Sequence, residues 1–99
     1  ASNVPEDGDI IPKQFGLEQN YPNPFNPSTA IRIAVPKSSR VNIQVYDILG
    51  QEVATIANRE FEPGYHNLLW NCQACAAGIY FVQMRAGEFV QTRKMLIVK

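Results

Sequence analysis

Few residues in this chain are placed to do chemistry, and the most suggestive are the cysteines of Cys72-Gln-Ala-Cys75. A zinc site would need two further ligands, and only His66 is an obvious candidate, so half the set is missing. A redox dithiol usually opens a helix, whereas this pair leads through Ala76-Ala77-Gly78 into a run with strand character. Two readings stay open, a small loop disulfide and a pair of free thiols; closing so short a ring contributes only about 2 kcal/mol in the loop-entropy account. Glu6, Asp7 and Asp9 could in principle ligate calcium, but no alternating set of carboxylates closed by a distant Glu is present, and a solvated linker is the expectation. His66 has no Ser or Cys beside it in a nucleophile setting, and Glu52, Glu60 and Glu62 read as solvated loop and edge residues. No glycine-rich loop follows a strand to open a helix and cradle a phosphate. An enzyme is not expected, and neither a cofactor nor a resident metal is implied.

Composition narrows the partners. Nine basic residues balance nine acidic ones, so there is no broad attraction for nucleic acid or an anionic membrane. Hydrophobic residues make up 45% of the chain, which suits a globular domain. No apolar run approaches the roughly 20 residues that span a bilayer, so membrane insertion is not expected. Ninety-nine residues make one domain, large enough to bury roughly two-thirds of its unfolded surface.

The elements that must position these residues are strands. Ala1 to Gln14 carries no targeting pattern; Ser2 to Lys13 is acidic, holds Pro5, Gly8 and Pro12, and reads as a linker, residues 1–14, from something upstream. Phe15 to Thr29 contains Pro22, Pro24 and Pro27, which deny it ladder donors and push it into extended geometry. Tyr21 and Phe25 are expected to pin this irregular segment onto the core, the sharper alternative being a platform that stacks sugar rings. Asn26-Pro27-Ser28 is no glycosylation acceptor, because proline fills its middle position.

From Thr29 onward the chain alternates. Ile31, Ile33 and Val35 point one way against Ala30, Arg32 and Ala34, and Pro36 ends the strand. Val41, Ile43 and Val45 repeat the pattern, and Asp47-Ile-Leu-Gly50 reverses the chain into Gln51–Ala57, forming a hairpin. Asn58 to Pro63 reads as a loop, Gly64 to Asn71 as a strand with Trp70 at the centre of the core. With Leu17 to Asn20 as a short first strand, the count is about seven, and the spacing suits an all-β, immunoglobulin-like or fibronectin III-like antiparallel sandwich. Gly78 to Lys99 then forms a terminal hairpin whose last strand is expected at a sheet edge. A three-residue loop Ala86-Gly87-Glu88 is favoured there, setting Met84 opposite Val90 and Val82 opposite Thr92; a two-residue loop would set Arg85 opposite Glu88.

Four motifs in sequence carry a resemblance: Leu17-Glu-Gln-Asn-Tyr-Pro-Asn-Pro-Phe-Asn-Pro-Ser-Thr, Val45-Tyr-Asp-Ile-Leu-Gly-Gln-Glu-Val-Ala-Thr, Gly78-Ile-Tyr-Phe, and Lys94-Met-Leu-Ile-Val-Lys99. Together they resemble the C-terminal sorting domain, type A, of the type IX secretion system of Bacteroidetes-type bacteria, from about Leu17 to Lys99. The resemblance implies a non-catalytic export signal over residues 15–99, attached to an upstream cargo. It implies passage through the periplasm, recognition by the outer-membrane translocon, delivery to the cell surface or medium, and in some members cleavage by a sortase-like surface protease. Carried over by position, the signal would rest on Gly78, Tyr80, Val82, Gly87, Lys94 and Lys99, a fixed edge and a terminal lysine suiting strand addition and charge pairing. The chain departs from the pattern at Cys72 and Cys75, where a small or polar residue and a leucine-like one are expected; the oxidising compartment that export implies favours their disulfide.

A different class of function competes: an accessory carbohydrate-binding or spacer sandwich of a secreted glycoside hydrolase, or a plain immunoglobulin-like module. The carbohydrate reading requires an exposed row of aromatics, with Tyr21, Phe25, Tyr46 and Tyr65 as candidates, and leaves the terminal lysine dispensable.

Overall fold

The computed structural model describes residues 11–99. Its elements are all strands: β1 Gly16–Leu17, β2 Ser28–Val35, β3 Ser39–Asp47, β4 Glu52–Phe61, β5 Gly64–Asn71, β6 Gly78–Ala86 and β7 Phe89–Ile97. They form two antiparallel sheets, three-stranded in the order β1-β2-β5 and four-stranded in the order β4-β3-β6-β7. The chain crosses between sheets after β2, β4 and β5, so three connections stitch one layer to the other.

The period-two alternation read from the sequence explains the core. Ile31, Ile33 and Val35 of β2 are fully buried, as are Val41, Ile43 and Val45 of β3 and Val82 and Met84 of β6. These side chains of both sheets join Trp70, Tyr80, Met95 and Ile97 in one hydrophobic cluster, which makes the pair of sheets a sandwich. Trp70 lies inside it, as expected, with its ring tilted against that of Phe25 at 5.9 Å between centroids.

Two boundaries and one register differ from the sequence reading. β1 is confined to Gly16–Leu17 rather than running on to Asn20, because Asn20 turns its side chain inward to bond Thr29 Oγ1 (3.0 Å) and the carbonyl of Pro22 (3.1 Å). The segment expected as a loop from Asn58 is instead the second half of β4, with Asn58 opposite Asn42 and Phe61 opposite Ser39. Its polar run is that of an edge strand wetted on one side, not of a loop.

The third difference is the register of the terminal hairpin. Ala86 pairs with Phe89, so the loop is Gly87-Glu88, and Met84 faces Gln91 rather than Val90, while Val82 faces Arg93 rather than Thr92. Neither sequence-based alignment is realised. Gly87 adopts φ of +60° at the first central position and, among the described residues, no non-glycine has positive φ, the pattern of a type II′ hairpin turn.

Candidate functional site

The inner face of β7 therefore reads Phe89, Gln91, Arg93, Met95 and Ile97, and its polar pair needs partners. They come from the other sheet. The Leu17 amide donates to Gln91 Oε1 at 3.0 Å, and Arg93 Nε donates to the Leu17 carbonyl at 2.9 Å, so two side chains of β7 satisfy the free edge of β1. A one-residue slip would turn Val90, Thr92, Lys94 and Leu96 inward, facing a lysine to the core and removing both bonds to Leu17.

The outer edge of β7 is covered as well. Gln19 Nε2 donates to the Lys94 carbonyl (2.7 Å), and the Leu96 amide donates to Asn23 Oδ1 (3.0 Å). The Phe25 amide donates to the Leu96 carbonyl and the Val98 amide to the Phe25 carbonyl, both at 3.0 Å, with Phe25 and Ile97 bridged in parallel. The proline-rich segment is thus a strap laid along the last strand. Phe25 anchors it from within the core, as expected. Tyr21 does not: the residue is 81% exposed, and it is its backbone that pairs with Ala30.

The six residues singled out for the signal do not gather into one cluster. Tyr80 and Val82 point into the core, Tyr80 donating its hydroxyl to the Ala76 carbonyl at 2.7 Å. They shape the hairpin from inside and offer no surface to a partner. Gly78 opens β6 opposite Ile97 with φ of +146°, a conformation that side chains rarely adopt. Gly87 sits at the far turn, beside an open cleft of about 520 Å³ lined by Phe15, Lys37, Arg40 and Phe89, the two rings stacked at 5.7 Å. Lys94 stands on the outer face opposite Phe81. Lys99 is exposed and donates Nζ to the Gln73 carbonyl at 3.1 Å.

Gln73 belongs to the loop closed by the Cys72–Cys75 disulfide, whose Cα atoms are 5.4 Å apart. Cys75 is buried in the core cluster and the Cys72 amide donates to the Pro27 carbonyl at 3.2 Å, so this loop ties β5, the strap and the end of the chain together at one pole. Among the described residues no group of His, Cys, Asp and Glu is arranged to hold a metal ion. Glu6, Asp7 and Asp9 lie outside the described residues. No helix is long and apolar enough to cross a membrane among them either.

The aromatic row required for sugar stacking is not assembled. Phe25 is buried, Tyr46 is half-buried with its hydroxyl donating to Gln44 Oε1 (2.6 Å), and Tyr65 carries the Arg32 guanidinium 4.4 Å above its ring.

What sequence reasoning missed is the set that closes the edge: Gln19, Asn23, Gln91 and Arg93. Gln91 and Arg93 share the parity of Met95 and Ile97 on β7, and polar residues at inward positions of a strand are the signal that an edge partner exists.

The family model described as secretion system C-terminal sorting domain matches residues 19–99. No curated protein and no solved structure matches the chain.

Proposed function

Because the chain belongs to the secretion system C-terminal sorting domain family, we propose that residues 15–99 act as a non-catalytic signal directing an upstream cargo across the outer membrane through the type IX translocon. The observation that carries this reading is the family match over nearly the whole sandwich, through to Lys99. The geometry supports it: the terminal hairpin is held at a sheet edge by the strap and the disulfide loop, so a receptor meets a folded, fixed feature. Residues 1–14 are the linker to the cargo, and processing by a sortase-like surface protease belongs to the same reading. The strand-addition mode becomes less attractive at the C-terminal half of β7, where Asn23 and Phe25 already occupy the edge; recognition through side chains takes its place.

The test is export of a reporter fused upstream of residues 15–99 in a host with type IX machinery, against the same fusion lacking Lys94 to Lys99. Surface display of the first and periplasmic retention of the second is the expected result. Equal distribution of two folded fusions would refute the assignment.

A further inference from the structure

The outer face of the four-stranded sheet divides in two along the strands. Toward the Gly87 end it is polar and internally bonded: Arg85 Nε donates to Gln83 Oε1 at 2.9 Å, and Gln83 Nε2 to Thr92 Oγ1 at 3.3 Å. Toward the other end, register places Ile79 beside Leu96, with Phe81 and Lys94 in the neighbouring row. Asp47 lies opposite Tyr80, so the β3–β4 turn carries Ile48 and Leu49 to the head of the same strip. Ile48 is 67% and Leu49 80% exposed. A contiguous exposed apolar strip on a small sandwich marks an interaction site more often than chance.

The turn that presents these side chains is rigid. Asp47 Oδ1 accepts from the amides of Leu49 and Gln51, both at 2.9 Å, while the Asp47 amide donates to the Gln51 carbonyl and the Gly50 amide to the Asp47 carbonyl. Little conformational entropy is lost when such a surface is covered. Charge is distributed unevenly about the strip. Lys94 stands exposed on its β7 side, with Lys99 just beyond that strand and its Nζ held by the Gln73 carbonyl, whereas on the β3–β4 side the Asp47 carboxylate is engaged by the turn and that of Glu52 by Gln44 Nε2 at 2.8 Å. A complementary surface is apolar at its centre and brings carboxylates against β7.

We propose that the strip formed by Ile48, Leu49, Ile79 and Leu96, with Lys94 at its border, is the surface by which this domain docks onto a protein receptor bearing an apolar patch edged by carboxylates. The inference rests on the sorting reading and names the partner chemistry of that signal. An anionic membrane is the less fitting occupant, since two lysines at about 1 kcal/mol each give weak adsorption and the chain as a whole carries no net charge. Tyr80 and Val82 then act through the backbone they hold, and the outward residues of the same strand make the contact.

The reporter fusion tests it with three variants. Leu49→Asp and Lys94→Glu alter the strip at exposed positions; Leu69→Asp alters an equally exposed leucine, 82% accessible, on the other sheet. Surface reporter is expected to fall tenfold or more for the first two, with accumulation in the periplasm, and to be unchanged for the third, while all three melt within a few degrees of the unmodified domain. Export of Leu49→Asp and Lys94→Glu at the level of Leu69→Asp would overturn the docking surface and leave the sorting reading standing. Failure of the unmodified fusion to be exported removes both. Co-sedimentation of the unmodified domain with anionic phospholipid vesicles, lost in Leu49→Asp, would assign the strip to a lipid surface and overturn the receptor.

Discussion

The four-stranded sheet has two edges, and the chain manages them in opposite ways. At β7 the edge is physically occupied: Gln19, Asn23 and Phe25 bond its outward carbonyls and amides, and Gln91 and Arg93 reach across to β1. At β4 no described strand adds to the edge, which is made unattractive to a further strand by two register shifts against β3 and by exposed Arg59 and Glu60. The β7 edge is closed by hydrogen bonds from the strap, whereas the β4 edge is left bare with Glu52, Arg59 and Glu60 exposed along it, charges that disfavour a further strand. Covering an edge, unlike charging it, makes the last strand dependent on residues more than seventy positions earlier in the chain.

That dependence is what experiment should strain first. Removing residues 11–27 deletes β1 and the strap together and exposes the whole outer edge of β7; cooperative thermal unfolding is expected to disappear and light scattering to rise. Phe25→Ala keeps the strap but removes its buried anchor, at a cost of about 3–5 kcal/mol in denaturant titration, with faster hydrogen exchange at the Val98 amide. Arg93→Ala leaves the Leu17 carbonyl without its donor and is expected to cost about 1–2 kcal/mol. Thr55→Lys, on the exposed flank of β4, should stay within about 0.5 kcal/mol of the unmodified domain. A Thr55→Lys penalty equal to that of Arg93→Ala would erase the contrast between the edges, and an unfolded Arg93→Ala would sharpen it.

The strands and their inward faces were legible because Ile31-Ile33-Val35 and Val41-Ile43-Val45 alternate without interruption, and a period of two has one structural meaning. Gly78-Ile-Tyr-Phe and Lys94 to Lys99 made the family legible. The terminal register was not, since Gln91 and Arg93 are polar for a reason located at Leu17, and no local pattern reports a partner so distant. Tyr21 and Phe25 show the same limit: two aromatics among the same prolines, of which one is buried against Trp70 and the other stands in solvent. The Ile48-Leu49 turn reads as an ordinary reversal in sequence, and only the exposure of both side chains beside Ile79 and Leu96 marks it as a surface.

The parallel bridge between Phe25 and Ile97 fixes how the domain bears load. The strap runs in the same direction as β7, from Leu17 beside Gln91 to Phe25 beside Ile97, so its upstream end and the carboxyl terminus leave from opposite poles. Tension applied between those two ends loads their shared hydrogen bonds in shear, all at once, instead of peeling them one after another. Forced unfolding is set by the rate of crossing that barrier rather than by equilibrium stability. A pull between residue 11 and Lys99 is therefore expected to meet higher resistance than the same pull applied across the β6–β7 turn, where the bonds open like a zip.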